Sequence, residues 1–564
     1  MKILYSKKEY IILLGIVVLF LVLRIPGLDN LYHQDEYKWP IIVNPALTEP
    51  GGIPHPPVGE FIYRELGAVV GYDNFRTIPL LFSFFNILLL FYLAKMIGDK
   101  RSALWTVFFF AISFYSVLAS LMIDTDGSIM PFFLLIALIS YYKLRLNNFV
   151  LKKKSYVWIA VLGIAVILGF LTKASFVVGI LAIALDFAFE RKVFEDKKKL
   201  FRYVGYGAIG LLSLGLLLFI SKFIFPYFRL DWTIKYWSHF MKFGNRGWFQ
   251  TMIQFVKSVM YLSPLLVLPL LFLNRQTISK YRPFLLFIVV GLFFYLIAFD
   301  FSEGALDRYF QFLIIPLCVI GGVVFAQTSP LTSLLDKEKG DLRGQKWGGV
   351  VLVLISIAIF FLQFFNHLVP PHYPKTEWID RIISLKWNFL FPFTGGSGPT
   401  GFYVSFAFIG LVWLCSIIFA VFALKKEEAK RSAIMAILIL GFLYNGVFIE
   451  EYLFGKINGS PYSLFIEAKE FIQNNNTIKK VVVYNDIGGY EIQKLGKYEK
   501  RLYATPQFEN SYKEFFKDFS GHILYINIPK IGENSFYSNY FNSCKNIYKN
   551  QDGYITVHML DCRK

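Results

Sequence analysis

Residues 29–58, DNLYHQDEYKWPIIVNPALTEPGGIPHPPV, lie between the first two membrane-length apolar runs of the chain. This stretch contains two adjacent acids, Asp35 and Glu36, followed by a Pro- and Gly-rich segment that ends in His55-Pro56-Pro57. A connection between two membrane helices needs only a few residues, and charged groups beside a bilayer are costly unless they have a function. The stretch therefore predicts a functional loop, residues 27–77, at one membrane surface.

The rest of the chain has the composition of a polytopic α-helical membrane protein. Of its 564 residues, 55% are hydrophobic and 17% are charged. Repeated apolar runs predict about thirteen spanning helices, which form a transmembrane domain over residues 1–450. The predicted spans cover approximately residues 9–26, 78–97, 102–120, 129–146, 156–171, 174–190, 203–225, 251–273, 283–300, 308–327, 348–367, 401–423 and 432–449.

The formal net charge is +19, which in a soluble protein would indicate nucleic-acid binding. Here the basic residues lie in short connections between apolar runs, on one side of the predicted topology. The positive-inside rule places that side and the N-terminus in the cytoplasm, and an odd number of spans places the C-terminal tail outside. We expect an integral protein of a plasma or inner membrane, in contact with lipids and not with nucleic acid.

The tail, residues 451–564, is more polar and predicts a small extracytoplasmic α/β domain. A helix is predicted over Ser463–Asn474. Strands are predicted over Lys479–Tyr484, His522–Ile528 and Ile555–Leu560.

Two features of this tail bear on its chemistry. Cys544 and Cys562 lie in one small domain, and an oxidising exterior would favour a disulfide between them. Asp486-Ile487-Gly488-Gly489 follows a predicted strand, where it could bind a ligand, but a plain turn is the favoured interpretation.

Two acidic motifs are candidates for chemistry. Asp35 and Glu36 are adjacent, so their side chains point in different directions and only one can face a pocket. A solvated loop acid or a helix N-cap is the alternative interpretation. Asp124-Thr125-Asp126 forms a D-x-D motif, whose carboxylates could bind Mg²⁺ or Mn²⁺. A tight turn at Asp126-Gly127 explains the same residues without a metal.

In this order the motifs resemble the GT-C class of membrane glycosyltransferases, in particular the superfamily of protein O-mannosyltransferases and the lipid A aminoarabinose transferase. That superfamily carries an acidic pair in the first outer loop and then a His- or Lys-Pro-Pro element, here Asp35-Glu36 and His55-Pro56-Pro57. The resemblance is strong over about residues 1–190, thinner over 200–320, and architectural beyond. Further matching elements are Gly98, Arg101, Ala103 and Leu104 in a G-x-R-x-A-x-L passage, Asp124 at the second outer loop, Leu171-Thr172-Lys173, and Arg308-Tyr309 with Pro316.

The resemblance implies an inverting transfer of a sugar from a polyprenyl-phosphate donor to a glycan, lipid or protein acceptor. It implies that Asp35 is the general base, with Glu36 and Asp124 as supporting acids. His55, Lys173, Arg308 and Tyr309 are then expected to bind the donor phosphate. For Lys173 or Arg308 alone, snorkelling to the membrane interface is the simpler interpretation. No cofactor is expected to be required, although Asp124 and Asp126 could bind a divalent cation.

Two other functions are consistent with parts of the sequence. An oligosaccharyltransferase-like enzyme would move a whole glycan onto protein, and a pyrophosphate donor and metal dependence would favour it. A lipid-linked sugar flippase or another transporter would place polar groups near the membrane midplane, often in a repeated arrangement. The acids here lie at the outer helix ends and no internal repeat occurs, which argues against transport.

Overall fold

The computed structural model describes residues 2–33, 35–44, 53–241, 247–300, 306–328, 343–371, 376–393, 401–425 and 427–563. Gln34 and residues 45–52 of the predicted loop lie outside the described residues. The chain divides into two compact units, which are treated separately below. The first comprises Met1–Leu28, Trp39–Lys337 and Ala423–Ile434, and the second Asp29–Lys38, Glu338–Phe422 and Met435–Lys564.

Helices dominate the described chain. In order they are α1 (Lys2–Val22), α2 (Lys38–Val43), α3 (Pro57–Val70), α4 (Thr77–Ile97), α5 (Lys100–Ile112), α6 (Phe114–Leu121), α7 (Ile129–Leu146), α8 (Lys153–Thr172), α9 (Val177–Glu190), α10 (Lys197–Ile224), α11 (Leu230–Phe240), α12 (Trp248–Val267), α13 (Arg275–Phe293), α14 (Leu306–Tyr309), α15 (Ile314–Thr328), α16 (Arg343–Phe361), α17 (Thr376–Ile383), α18 (Phe406–Lys425), α19 (Glu427–Leu453), α20 (Pro461–Asn474), α21 (Gly489–Lys494), α22 (Glu509–Asp518) and α23 (Phe536–Ser543).

Within the described part of the chain, ten helices are long and apolar enough to cross a membrane, or eleven if the bent pair α5 and α6 is one span. The predicted polytopic helical fold is thereby confirmed, with fewer spans than the expected thirteen. The segment predicted at 174–190 forms α9, whose 14 residues extend only about 21 Å against a hydrocarbon core of about 30 Å. The segment predicted at 348–367 lies largely in α16, and its apolar stretch Leu352–Phe364 is not among the ten spans.

The predicted span 102–120 is broken, because α5 and α6 meet at an angle of 66°. A break leaves backbone carbonyls of the last helical turn without helical partners. The fully buried Arg24 supplies the missing donors, because its guanidinium donates hydrogen bonds to the carbonyls of Ala111 at 2.9 Å and Phe110 at 3.2 Å. The same guanidinium donates to the hydroxyls of Ser116 and Ser120, both at 3.0 Å. Arg24 thus fixes the bend from the end of the first membrane helix.

The second unit contains the β-structure of the described chain. Its strands are β1 (Leu390–Phe393), β2 (Phe402–Ser405), β3 (Val481–Tyr484), β4 (Tyr498–Leu502), β5 (His522–Ile526), β6 (Lys545–Asp552) and β7 (Ile555–Asp561). β1 and β2 pair antiparallel, and the other strands form a sheet in the order β4-β3-β5-β7-β6. β4, β3 and β5 are parallel, whereas β7 pairs antiparallel with both β5 and β6.

The sheet confirms the predicted α/β tail and adds two strands to it. The predicted helix and the three predicted strands are α20, β3, β5 and β7. The sequence analysis missed β4 and β6, whose sequences YEKRL and KNIYKNQD are polar because they form the two edges of the sheet. The predicted disulfide joins Cys544 to Cys562, with Cα atoms 4.6 Å apart, and ties the start of β6 to the end of β7.

Candidate active site

The D-x-D motif forms a buried turn between α6 and α7 in the first unit. The N–H of Thr125 donates to Asp124 Oδ1 at 2.5 Å, and the Thr125 carbonyl accepts from Met130 N at 2.8 Å. Tyr63 of α3 donates its hydroxyl to the Asp124 carbonyl at 3.1 Å. These bonds occupy the backbone of the turn and leave the carboxylates of Asp124 and Asp126 to face other groups.

The carboxylates of Asp124 and Asp126 face two cations, Lys173 and Arg308. Both come from distant parts of the chain and were expected from the sequence to bind phosphate. Lys173 leaves α8 in an extended conformation, with φ −157° and ψ 137°, and its ammonium forms an ion pair with Asp126. Its Nζ also lies 4.0 Å from Asp124 Oδ1. Arg308 of α14 forms an ion pair with Asp124, and its Nε lies 3.7 Å from Asp126 Oδ2. Each cation therefore reaches both acids.

All four charged side chains are buried. Lys173 and Arg308 are therefore not snorkelling to a membrane interface, as either could have done alone. Burial raises the pKa of Asp126 despite the opposing Lys173 ammonium. Burial would lower the pKa of Lys173, but the Asp126 carboxylate, together with Tyr309 and Tyr295, raises it. The ammonium therefore keeps its charge at neutral pH.

Aromatic rings adjoin the cations of this cluster. The Tyr309 ring centroid lies 5.1 Å from Lys173 Nζ and 5.5 Å from Arg308 Cζ, distances at which a ring face attracts a cation. Tyr295, in the π-helical turn Phe294–Ala298 that follows α13, stacks on Tyr309 with centroids 5.7 Å apart. Tyr309, which was expected to bind the donor phosphate, thus adjoins both cations, and Tyr295 was not marked by any sequence motif.

The His-Pro-Pro element precedes α3 and determines where that helix begins. A Cβ added at Gly59 would lie 2.6 Å from Thr125 Cγ2 and 3.3 Å from the Thr172 carbonyl, so α3 packs directly on the acidic turn and on the end of α8. The imidazole of His55 packs edge-on against Tyr236 of α11, with ring centroids 5.5 Å apart. The element therefore positions α3 against the cluster.

The acidic pair Asp35-Glu36 belongs to the second unit. Asp35 keeps 28% of its side chain exposed and forms an ion pair with Lys38. Glu36 is 0% exposed, and its Oε2 accepts a hydrogen bond from the His33 N–H at 3.0 Å. The two carboxylates therefore occupy different environments, as expected for neighbouring residues. Asp35 is accessible, whereas Glu36 is hydrogen-bonded within the turn that it belongs to.

Asp124 and Asp126 do not fit a resident divalent cation. Ions such as Ca²⁺ and Mg²⁺ bind about six to eight oxygens, and here both carboxylates already face a cation. Two buried carboxylate oxygens, Asp124 Oδ2 and Asp126 Oδ1, lack a hydrogen-bond partner among the described residues, and Asp124 Oδ2 is the oxygen that faces Arg308. No group of three or more His, Cys, Asp and Glu side chains converges in the part of the chain that the structure covers. The reaction is therefore proposed without a step through a metal.

Comparisons with known proteins agree with this architecture. Residues 54–219 match the family model described as dolichyl-phosphate-mannose-protein mannosyltransferase. Among curated proteins, none matches the chain. The fold is similar to that of ArnT from Cupriavidus metallidurans in the apo state, with a TM-score of 0.53 and 11% identity over 98% of each chain. The same protein bound to undecaprenyl phosphate matches with a TM-score of 0.53 and 13% identity, again over 98% of each chain.

The chain is a polytopic helical membrane protein whose fold is similar to that of ArnT. The family model covers the acidic turn and Lys173, while the ArnT likeness extends the fold over nearly the whole chain. Both findings confirm the resemblance drawn from the sequence motifs and are consistent with a GT-C glycosyltransferase.

Proposed function

We propose that this protein is a membrane glycosyltransferase that moves a sugar from a polyprenyl-phosphate donor to an acceptor hydroxyl with inversion at the anomeric carbon. The observation that carries the proposal is the buried cluster of Asp124, Asp126, Lys173 and Arg308. The family match over residues 54–219 and the undecaprenyl phosphate bound by ArnT support a lipid-phosphate donor.

Lys173 and Arg308 are proposed to bind the donor phosphate and to stabilise it as a leaving group. A guanidinium has five N–H donors and an ammonium has three, so each can keep its acid and still donate to a phosphate. Asp124 and Asp126 hold both cations in place before the donor arrives, which reduces the reorganisation required during the reaction. The Tyr309 ring lies beside both cations. His55 is proposed to contact the donor phosphate.

Asp35 is proposed as the general base. The acceptor oxygen attacks the anomeric carbon opposite the phosphate, Asp35 takes the hydroxyl proton, and the carbon–oxygen bond to phosphate breaks with its electron pair on the phosphate. A lipid phosphate leaves without a general acid when cations stabilise it. Asp35 is partly exposed and can therefore contact an acceptor, whereas Glu36 is buried and is proposed to stabilise the turn.

The remaining organisation is proposed on the sequence pattern. Residues 1–450 form the transmembrane catalytic domain and residues 451–564 an extracytoplasmic α/β domain, with the N-terminus in the cytoplasm. The membrane is a plasma or inner membrane, and the acceptor is a glycan, a lipid or a protein.

The test uses purified full-length protein in proteoliposomes with undecaprenyl-phosphate-linked sugars carrying a radiolabel. Expected results are release of undecaprenyl phosphate and a product of opposite anomeric configuration. Lys173→Gln and Arg308→Gln should lose most of this release. The control is Arg282→Gln, which breaks the partly buried Arg282–Asp186 ion pair (2.5 Å) elsewhere in the same unit. Equal losses in control and cluster variants, or activity only with pyrophosphate-linked glycans and metal, would contradict the proposal.

A further inference from the structure

The Asp486-Ile487-Gly488-Gly489 turn does more than connect β3 to α21. The carboxylate of Asp486 is fully buried and accepts hydrogen bonds from the Tyr37 hydroxyl at 2.6 Å and the Tyr498 hydroxyl at 3.0 Å. The two hydroxyls lie 3.3 Å apart. Tyr37 is two residues beyond Asp35, and all of these residues belong to the second unit.

The backbone of this turn is shaped around the Asp486 carboxylate. Asn485 and Asp486 both adopt positive φ, at 49° and 57°, which is uncommon for residues other than glycine. A Cβ at Gly489 would lie 2.3 Å from Asp486 Oδ1, and one at Gly488 only 1.9 Å from the Phe465 ring. Gly489 therefore leaves room for the Asp486 carboxylate, and Gly488 leaves room for the Phe465 ring.

Residues 31–37 are attached to the sheet at two further points. Leu31 is buried in the hydrophobic core that covers one face of the sheet, and Tyr32 packs on Tyr490 with ring centroids 5.2 Å apart. Asp35 and Glu36 lie between these contacts and Tyr37. The acidic pair is therefore carried by a short segment held at both ends.

We propose that Asp486, acting through Tyr37 with Tyr498, is a positioning residue that orients the Asp35 segment for proton transfer. This inference rests on the proposed function, which assigns Asp35 as the base. A segment without such an anchor would sample many orientations, and small displacements of a catalytic group carry large rate penalties.

The protonation of the anchor is consistent with this role. Burial raises the pKa of Asp486, and the Tyr37 and Tyr498 hydrogen bonds oppose that rise. Burial and the nearby Asp486 charge raise the pKa of Tyr37, so its hydroxyl remains a donor at neutral pH. The side chain of Asp486 therefore accepts hydrogen bonds from two phenol hydroxyls, those of Tyr37 and Tyr498.

The experiment compares Tyr37→Phe and Tyr498→Phe with Tyr484→Phe in the full-length protein. Tyr484 is a matched control because its hydroxyl donates to the Pro529 carbonyl at 2.7 Å in the same sheet. Amide hydrogen exchange over residues 29–38 is measured without substrate, and transfer kinetics are measured with undecaprenyl-phosphate-linked sugars. Tyr37→Phe should speed exchange about tenfold and lower kcat about tenfold, with an unchanged donor KM.

Tyr484→Phe should change neither the exchange rate nor kcat. In Asp486→Asn, which keeps one acceptor oxygen, both quantities should lie between those of the wild type and those of Asp486→Ala. Unchanged exchange in Tyr37→Phe would overturn the inference. Faster exchange with unchanged kcat would also overturn it, because the anchor would then be purely structural. Full turnover in Asp35→Asn would instead refute the proposed assignment of Asp35 as the base, while the exchange measurement, which needs no substrate, would still report on the Tyr37–Asp486 contact.

Discussion

Lys173 and Asp126 form a buried ion pair although 47 residues separate them in the chain. The sequence analysis assigned the first to phosphate binding and the second to a metal. Their pairing means that each side chain balances the charge of the other, so a single substitution will leave one buried charge without this partner.

We therefore expect Lys173→Gln to unfold more easily and Lys173→Gln/Asp126→Asn to recover much of the loss. Removing one member of a buried pair leaves an uncompensated charge and costs about 3–5 kcal/mol, whereas removing both does not. Thermal unfolding in detergent measures the stability, and phosphate-lipid release measures activity. The double variant should remain inactive because it still lacks the cation; recovered activity would rule out Lys173 as a phosphate ligand.

Asp35→Asn should abolish transfer and leave the protein folded. Asparagine keeps the size of aspartate but cannot accept the hydroxyl proton, and base catalysis contributes about 10²- to 10⁴-fold in rate. Glu36→Gln should cost less, because glutamine can still accept the hydrogen bond from the His33 N–H. Turnover of both variants with a lipid-linked donor decides the assignment. An inactive Glu36→Gln beside a working Asp35→Asn would move the base to Glu36.

Transfer should be insensitive to a chelator. The carboxylates of Asp124 and Asp126 face Lys173 and Arg308, so cations that the protein supplies itself already balance them. Activity of the purified protein is measured with EDTA and then with added Mg²⁺ or Mn²⁺. A loss on chelation that either metal restores would reinstate the metal interpretation of the D-x-D motif.

The disulfide should stabilise the sheet of the second unit. It joins cysteines 18 residues apart, and closing a loop of this size contributes about 3 kcal/mol. The Cys544→Ser/Cys562→Ser variant should show earlier thermal unfolding and faster proteolysis of residues 451–564. Cys415→Ser is the control, since Cys415 is a free cysteine. Equal behaviour of the two variants would mean that the bond adds no stability.

The proposed topology predicts which cysteines can be labelled from outside the cell. Single cysteines placed at Glu533 and Lys192 would both be accessible, since these side chains are 81% and 72% exposed. A membrane-impermeant maleimide applied to intact cells should label Glu533→Cys at once and Lys192→Cys only after permeabilisation. The reverse pattern would invert the topology and move the proposed site to the cytoplasm.

The sequence predicted the charged cluster better than it predicted the structure around it. Asp124, Lys173 and Arg308 were selected because they match elements of the family that the sequence resembles, and each lies near the end of an apolar run. Their pairing depends on how the helices pack, which no local pattern specifies. The edge strand β4 and the Tyr37–Asp486 contact were missed for a related reason. Polar edge strands lack alternation, and a contact across 449 residues leaves no trace in local periodicity.

The contacts of Arg24 make the bend depend on a helix that is synthesised before it. In a membrane the carbonyls of Phe110 and Ala111 would face hydrocarbon unless an N–H donor is present, and unsatisfied backbone groups there are expensive. We therefore expect that a foreign signal anchor of equal length and hydrophobicity, put in place of the first helix, would leave these two carbonyls without the donor that Arg24 supplies.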